Sequence, residues 1–186
     1  IYADDDLQKN VIAFADLTNI FINLLAEEIT KARKKLITHF HEWMASLPIL
    51  DIQKNKLPVK TVFTTHATSI GRYLAMNDEN FYTSLHKYHW KRHAEHFHIL
   101  PIAQIERFCA QASTILTTVS EVTAKECKVF FGREPDEITP NGLNITRFVA
   151  YHEVQNLHQE YKSEIHEFVM GHFFHSCPFD LDDVLY

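Results

Sequence analysis

Four short stretches of this chain place polar groups where an apolar run ends, the setting in which a side chain can be held still enough to do chemistry. The first is His39-Phe40-His41-Glu42-Trp43. Residues two apart on a strand point to one face, so His39 and His41 would share it, with a carboxylate beside them. Imidazoles and a carboxylate can ligate a metal, yet no other His, Cys or Asp stands near them at metal spacing. A sugar contact by Glu42 with Trp43 packing, or a plain strand end, is the better reading, and no metal is expected.

The second stretch is Val62-Phe63-Thr64-Thr65-His66-Ala67-Thr68-Ser69-Ile70-Gly71-Arg72-Tyr73. The apolar, β-branched run from Val59 fits a buried parallel strand, and it stops in hydroxyls, a histidine and the start of a helix carrying Arg72. Thr118 and Ser120 end a third such run, and Asn141 and Asn144 a fourth. Ligands of open α/β sheets bind outside the carboxyl ends of the strands, so these groups should converge on one crevice.

Two helical faces carry further candidates. His86, His89, His93 and His96 step by three, four and three along one proposed helix, among Lys87, Lys91 and Arg92, which favours a solvated or subunit-facing surface over zinc. His152, Gln155, His158 and Lys162, with Asn156 beside them, form a polar arc on the last helix. Such a group can bind a phosphate monoester through charge-assisted hydrogen bonds, although the residues alone favour an ordinary exposed face. There is no Gly-x-Ser-x-Gly elbow, and with four glycines in the chain there is no phosphate-binding glycine loop of either common type.

The elements that must position these groups follow from periodicity. Leu7, Val11, Phe14, Leu17, Phe21, Leu24, Leu25 and Ile29 predict a helix from Asp4 to about Lys35, with acidic residues at its start and basic ones at its end. Leu36 to Phe40 predicts a strand, followed by a helix to about Asn55. The strand from Val59 to Thr64 leads into a short helix from Ser69 to Met76. Asp78 to Ala112 reads as long, aromatic and mostly helical, with a break at Pro101. Thr114 to Val119 predicts a strand, and Ser120 to about Phe131 a helix that Gly132 closes. Glu137 to Pro140 is briefly extended, Tyr151 to Phe174 is a strong helix, and Ser176 to Asp183 reads as a linker. Strand alternating with helix predicts an α/β fold: a parallel sheet with covering helices.

Composition narrows the partners. At 186 residues, with 46% hydrophobic and 23% charged residues, the chain can build a real core. A net charge of −6 gives no reason to expect nucleic acid or an anionic membrane. No apolar stretch approaches the roughly 20 residues of a membrane span. Cys109, Cys127 and Cys177 are far apart and odd in number, which favours a reducing, cytoplasmic setting. A start at Ile1 without methionine and a strand-like end at Val184-Leu185-Tyr186 predict a piece of a longer protein.

Taken together these motifs resemble glycogen synthases of the eukaryotic type, glycosyltransferase family 3. The resemblance is carried by His39-Phe40-His41-Glu42-Trp43, Phe63-Thr64-Thr65-His66-Ala67-Thr68, Gly71-Arg72-Tyr73, Thr117-Thr118-Val119-Ser120, Thr139-Pro140-Asn141-Gly142-Leu143-Asn144 and His152-Glu153 with Gln155-Asn156-Leu157-His158. Gly171-His172-Phe173 and Phe179-Asp180-Leu181-Asp182 continue it. It covers nearly the whole chain in order, with His86 to Ile105 the most divergent part.

The resemblance implies a GT-B enzyme with two Rossmann-like domains, of which residues 1–175 would be most of the N-terminal, acceptor-side one. That domain would include a helical insertion at about 78–112, and residues 176–186 would be a linker into a second domain. The implied reaction transfers glucose from UDP-glucose to the non-reducing 4-hydroxyl of an α-1,4-glucan with retention, without a cofactor. His66 matches the histidine lying against the transferred glucose, Glu42 an acceptor-side carboxylate, Arg72 a cleft arginine and Asn141 a sugar-facing asparagine. His152, Gln155, Asn156, His158 and Lys162 match contacts to the regulator glucose-6-phosphate, and the parent protein would be a homo-oligomer. The isolated piece would be inactive. Another GT-B sugar-nucleotide transferase and a non-catalytic glucan-binding module remain the rival expectations.

Overall fold

The computed structural model describes residues 5–143 and 151–173, with side chains of residues 6–143 and 156–173. These fall into two compact units, one within 1–141 and one within 142–186.

The first unit opens with helix α1 (Asp5–Lys31), strand β1 (Leu36–His41), and helices α2 (Glu42–Ser46) and α3 (Pro48–Lys54). Strand β2 (Val59–Thr65) leads into α4 (Ser69–Asn77), a 3-10 turn at Leu85–Lys87, α5 (Trp90–His96) and α6 (Leu100–Ala112). Strand β3 (Ile115–Thr118), α7 (Glu121–Glu126), a π-helical turn at Cys127–Phe131 and β4 (Glu137–Ile138) complete it. The strands form one parallel sheet in the order β1-β2-β3-β4, with helices in every crossover. This is the expected Rossmann-like α/β architecture.

Register explains how the sheet is buried. Phe40, Phe63 and Leu116 pair side by side across three strands, and all three are buried, forming the central row of the core. Their neighbours along each strand point the other way, so His41, Thr64 and Thr117 form one row on the opposite face and His39, Val62 and Ile115 another. Strand β1 alternates rather than running apolar throughout, and its Ile37 is 65% exposed. Because β4 is only two residues long, the Asp136 carboxylate supplies the partner that backbone would otherwise provide, accepting from Leu116 N at 2.7 Å. Arg133 Nη2 holds that carboxylate at 2.6 Å.

The structure departs from the periodicity at three places. The single helix expected after Glu42 is two, because Pro48 has no N–H to continue α2 and instead starts α3. The histidines at 86, 89, 93 and 96 do not share one helix face: His86 lies in the 3-10 turn, His89 is the N-cap of α5, and only His93 and His96 are within it. The helix ending at Phe131 widens into a π turn. Its last carbonyls, Phe130 O and Phe131 O, accept from Arg107 Nη1 at 2.6 Å and Gln111 Nε2 at 2.8 Å, both on α6. Gly132 then stops it at φ 68°, where a side chain would be strained.

The second unit is described by helix α8 (Tyr151–Phe173). No described helix is long and apolar enough to cross a membrane.

Candidate functional site

Parallel pairing of β1 with β2 sets His41 beside Thr64, so the residues leaving the two strands, Glu42 and His66, meet at the same sheet end. Their contact is direct. Glu42 Oε1 accepts from the backbone N–H of His66 at 2.7 Å, and His41 Nδ1 lies 3.2 Å from His66 Nε2. Glu42 reaches this position with φ 61°, a left-handed backbone that costs a non-glycine residue on the order of 1 kcal/mol. The strain sits where the strand must turn and offer a carboxylate to its neighbour.

A second polar line runs across the same sheet face. His39 Nε2 is 2.7 Å from Thr64 Oγ1, which is 2.6 Å from Thr117 Oγ1. Thr118 Oγ1 donates to Thr65 O at 2.9 Å, and Thr118 O accepts from Thr139 N at 2.7 Å. Side-chain hydroxyls thus link β1, β2 and β3 near their ends, and a backbone hydrogen bond ties Thr139, just beyond β4, to β3. The His39 and His41 rings are 4.3 Å apart, and among the described residues no three His, Cys, Asp or Glu are placed to hold a metal ion. Burial lowers the His41 pKa, as do the neighbouring His39 and His66 rings, while Glu42 opposes them.

Two buried carboxylates hold the turn that follows His66. Glu106, on α6 and 1% exposed, accepts from Ser69 Oγ at 2.7 Å and from Ser69 N at 3.1 and 3.2 Å. Burial pushes its pKa up to about 8, against the lowering effect of the Ser69 hydrogen bonds. Glu126, at the end of α7, accepts from Thr68 Oγ1 at 2.7 Å and from Tyr82 Oη at 3.2 Å. Burial raises its pKa too, and its hydrogen bonds and the Arg72 charge only partly offset that. Thr68 also caps α4 by accepting from Gly71 N at 3.0 Å. Two amides at the start of α4, Ser69 N and Gly71 N, are thus engaged by protein groups and not left to a ligand.

Gly71 belongs to the same cluster. A Cβ there would stand inside the van der Waals surfaces of Glu126 Oε2 and Thr68 Oγ1, so glycine is required by close approach.

Of the residues singled out from sequence, His66 and Glu42 are brought into contact, both half-buried. Arg72 is exposed on α4, close enough for its charge to act on Glu106 and Glu126. Asn141 is exposed, just beyond β4. On α8, Asn156 and His158 are exposed and Lys162 half-buried, whereas the side chains of His152 and Gln155 lie outside the described residues. Asn144 and the segment 176–186 also lie outside them.

Glu106 and Glu126 are not among the residues singled out from sequence, although a signal for both is present in it. Ile102, Ala103, Cys109 and Ala110 form the buried stripe of α6, and Glu106 falls in its middle. Glu126 sits likewise between buried Thr123 and Cys127. A carboxylate inside an apolar stripe has to find hydrogen-bond donors in the interior.

The arrangement is a sheet-end histidine held at its backbone by a carboxylate and at its ring by a second imidazole, followed by a turn anchored on two buried carboxylates. It suits binding and orienting a polar ligand by fixed dipoles. The glycogen synthase family profile matches residues 1–186. The chain is 39% identical over 183 residues to the liver glycogen [starch] synthase of Rattus norvegicus, covering 98% of this chain and 26% of that protein. It is 38% identical to the glycogen [starch] synthase of Caenorhabditis elegans over 98% of the chain and 27% of that protein. It is 41% identical to the glycogen [starch] synthase of Dictyostelium discoideum over 99% of the chain and 21% of that protein. The chain therefore spans about a quarter of the length of these curated relatives.

Proposed function

The chain belongs to the glycogen synthase family, and on that premise we propose that it is the acceptor-side part of a retaining glycosyltransferase. The reaction would move glucose from UDP-glucose to the non-reducing 4-hydroxyl of an α-1,4-glucan, in the cytoplasm and without a metal or cofactor. Residues 1–175 would form most of the N-terminal domain, with a helical insertion at about 78–112, and 176–186 would lead into a second domain that completes the cleft.

The observation that carries this reading is the seating of His66. It leaves the end of β2 with its backbone N–H fixed by Glu42 and its ring against His41, at the sheet end where α/β folds bind ligands. In that seat His66 holds the transferred glucose and stabilises its oxocarbenium-like transition state through preorganised dipoles, not as a nucleophile. Glu42 has two carboxylate oxygens; Oε1 serves His66 N, and the carboxylate also takes the acceptor-side role. Arg72 contributes positive charge to the cleft and Asn141 a sugar hydrogen bond. On α8, His152, Gln155, Asn156, His158 and Lys162 form half of a glucose-6-phosphate site, and the parent protein is a homo-oligomer.

The test is transfer of labelled glucose to maltoheptaose by the full-length protein, with UDP-glucose and ADP-glucose compared as donors. Transfer from UDP-glucose is expected, and none by the 186-residue chain alone. Preference for ADP-glucose would point to another GT-B transferase. Glucan binding without transfer by the full-length protein would leave a non-catalytic module.

A further inference from the structure

We propose that His41 is a positioning residue for glucosyl transfer: its Nδ1, hydrogen-bonded to His66 Nε2, fixes the ring that holds the sugar. This rests on the assignment of His66 made above. Glu42 fixes the His66 backbone, but a hydrogen bond to N–H leaves the side-chain torsions free. His66 lies one residue beyond β2, so its ring needs a second anchor. His41 supplies it from within the sheet, as the last residue of β1, paired in register with Thr64 and with its ring 4.3 Å from that of His39.

An N–H···N pair needs one proton between the two rings. Two neutral rings or one neutral and one cationic ring satisfy it, whereas two cations break it. The groups facing His41 are His39 from its own strand, His66 from the turn after β2, and Glu42 at the start of α2. Partial desolvation of a ring that is exposed overall, together with the two imidazoles, outweighs Glu42 and keeps His41 neutral further into the acid range than an ordinary histidine. The pair is thereby protected from double protonation.

His41 is exposed, so the fold depends little on it, while ring displacement of about 1 Å costs on the order of a hundredfold in rate. Rate and stability therefore separate under mutation. In the full-length protein, His41→Ala is expected to lower kcat by about tenfold to a hundredfold. KM for UDP-glucose and for glucan should stay within about threefold. His41→Asn keeps a hydrogen-bonding atom near the Nδ1 position and should recover most of the rate. Because Asn does not titrate, the acid side of its pH–kcat profile should move relative to wild type. A His41→Ala rate within twofold of wild type, or His41→Asn no better than Ala, overturns the proposal.

A second readout does not depend on activity. Long-range 1H–15N spectra of the 186-residue chain should show the His66 ring nitrogens shifting in His41→Ala, and unmoved signals overturn the pairing. A wild-type full-length protein that transfers no glucose refutes the function proposed above, whereas a His66 ring insensitive to His41 refutes this inference. The two failures are thus told apart.

Discussion

Replacing Glu106 with glutamine should stabilise the first unit, and by an amount that grows with pH. In the folded chain burial raises the Glu106 pKa from 4.5 to about 8. Between those values the folded state holds a proton that the unfolded state has released. Stability therefore falls as pH rises, by about 1.4 kcal/mol per unit for this one group. The loss is absent below pH 4.5 and complete above about 8, with a ceiling on the order of 5 kcal/mol. Glutamine has no charge to bury, and its amide can still accept from Ser69 N and donate to Ser69 Oγ. The variant should match wild type within about 1 kcal/mol near pH 4.5 and exceed it by several kcal/mol at pH 8.5. Urea unfolding followed by tryptophan fluorescence reads the right unit, because the two tryptophans, Trp43 and Trp90, both lie in it. A stability difference that stays flat from pH 5 to 8.5, at unchanged m-value, would mean that Glu106 does not titrate with a raised pKa in the folded chain. So would a variant that falls below wild type as pH rises.

Three further outcomes follow from the same contacts. Gly71→Ala places a methyl against Glu126 and Thr68 and should cost about 1–3 kcal/mol in urea unfolding of the first unit; an unchanged midpoint would contradict the close approach. Glu42→Gly relieves the left-handed strain but removes the acceptor for His66 N, so stability should change by no more than about 1 kcal/mol while kcat of the full-length protein falls at least tenfold. Equal losses of both would contradict it. Cys109 and Cys127 are buried, with pKa raised by burial (Cys109 to about 12), so a thiol reagent at pH 8 should modify them only in urea.

The alternation of helix and strand was readable because β2 and β3 are short, β-branched runs bounded by hydroxyl residues, and α1 and α8 keep a long helical period. Positions governed by a single local rule were readable too, such as the helix stop at Gly132. The break between α2 and α3 was also in the sequence, at Pro48, but the apolar residues on both sides kept a helical spacing that hid it. His66 and Glu42 could each be placed at a strand end, but their contact depends on the pairing of β1 with β2, which one chain read in order does not specify. The π turn is likewise invisible locally, since the groups that satisfy it, Arg107 and Gln111, come from another helix. Glu106 and Glu126 end no strand; each interrupts the buried stripe of a helix, a pattern apart from the strand-end polar groups.

The central claim is that His66, seated by Glu42, holds the glucose as it is transferred. It is tested most directly by His66→Ala in the full-length protein, measuring glucosyl transfer from UDP-glucose to maltoheptaose. A kcat lower by about a hundredfold or more is expected, with maltoheptaose binding unchanged. A kcat within about threefold of wild type would contradict it.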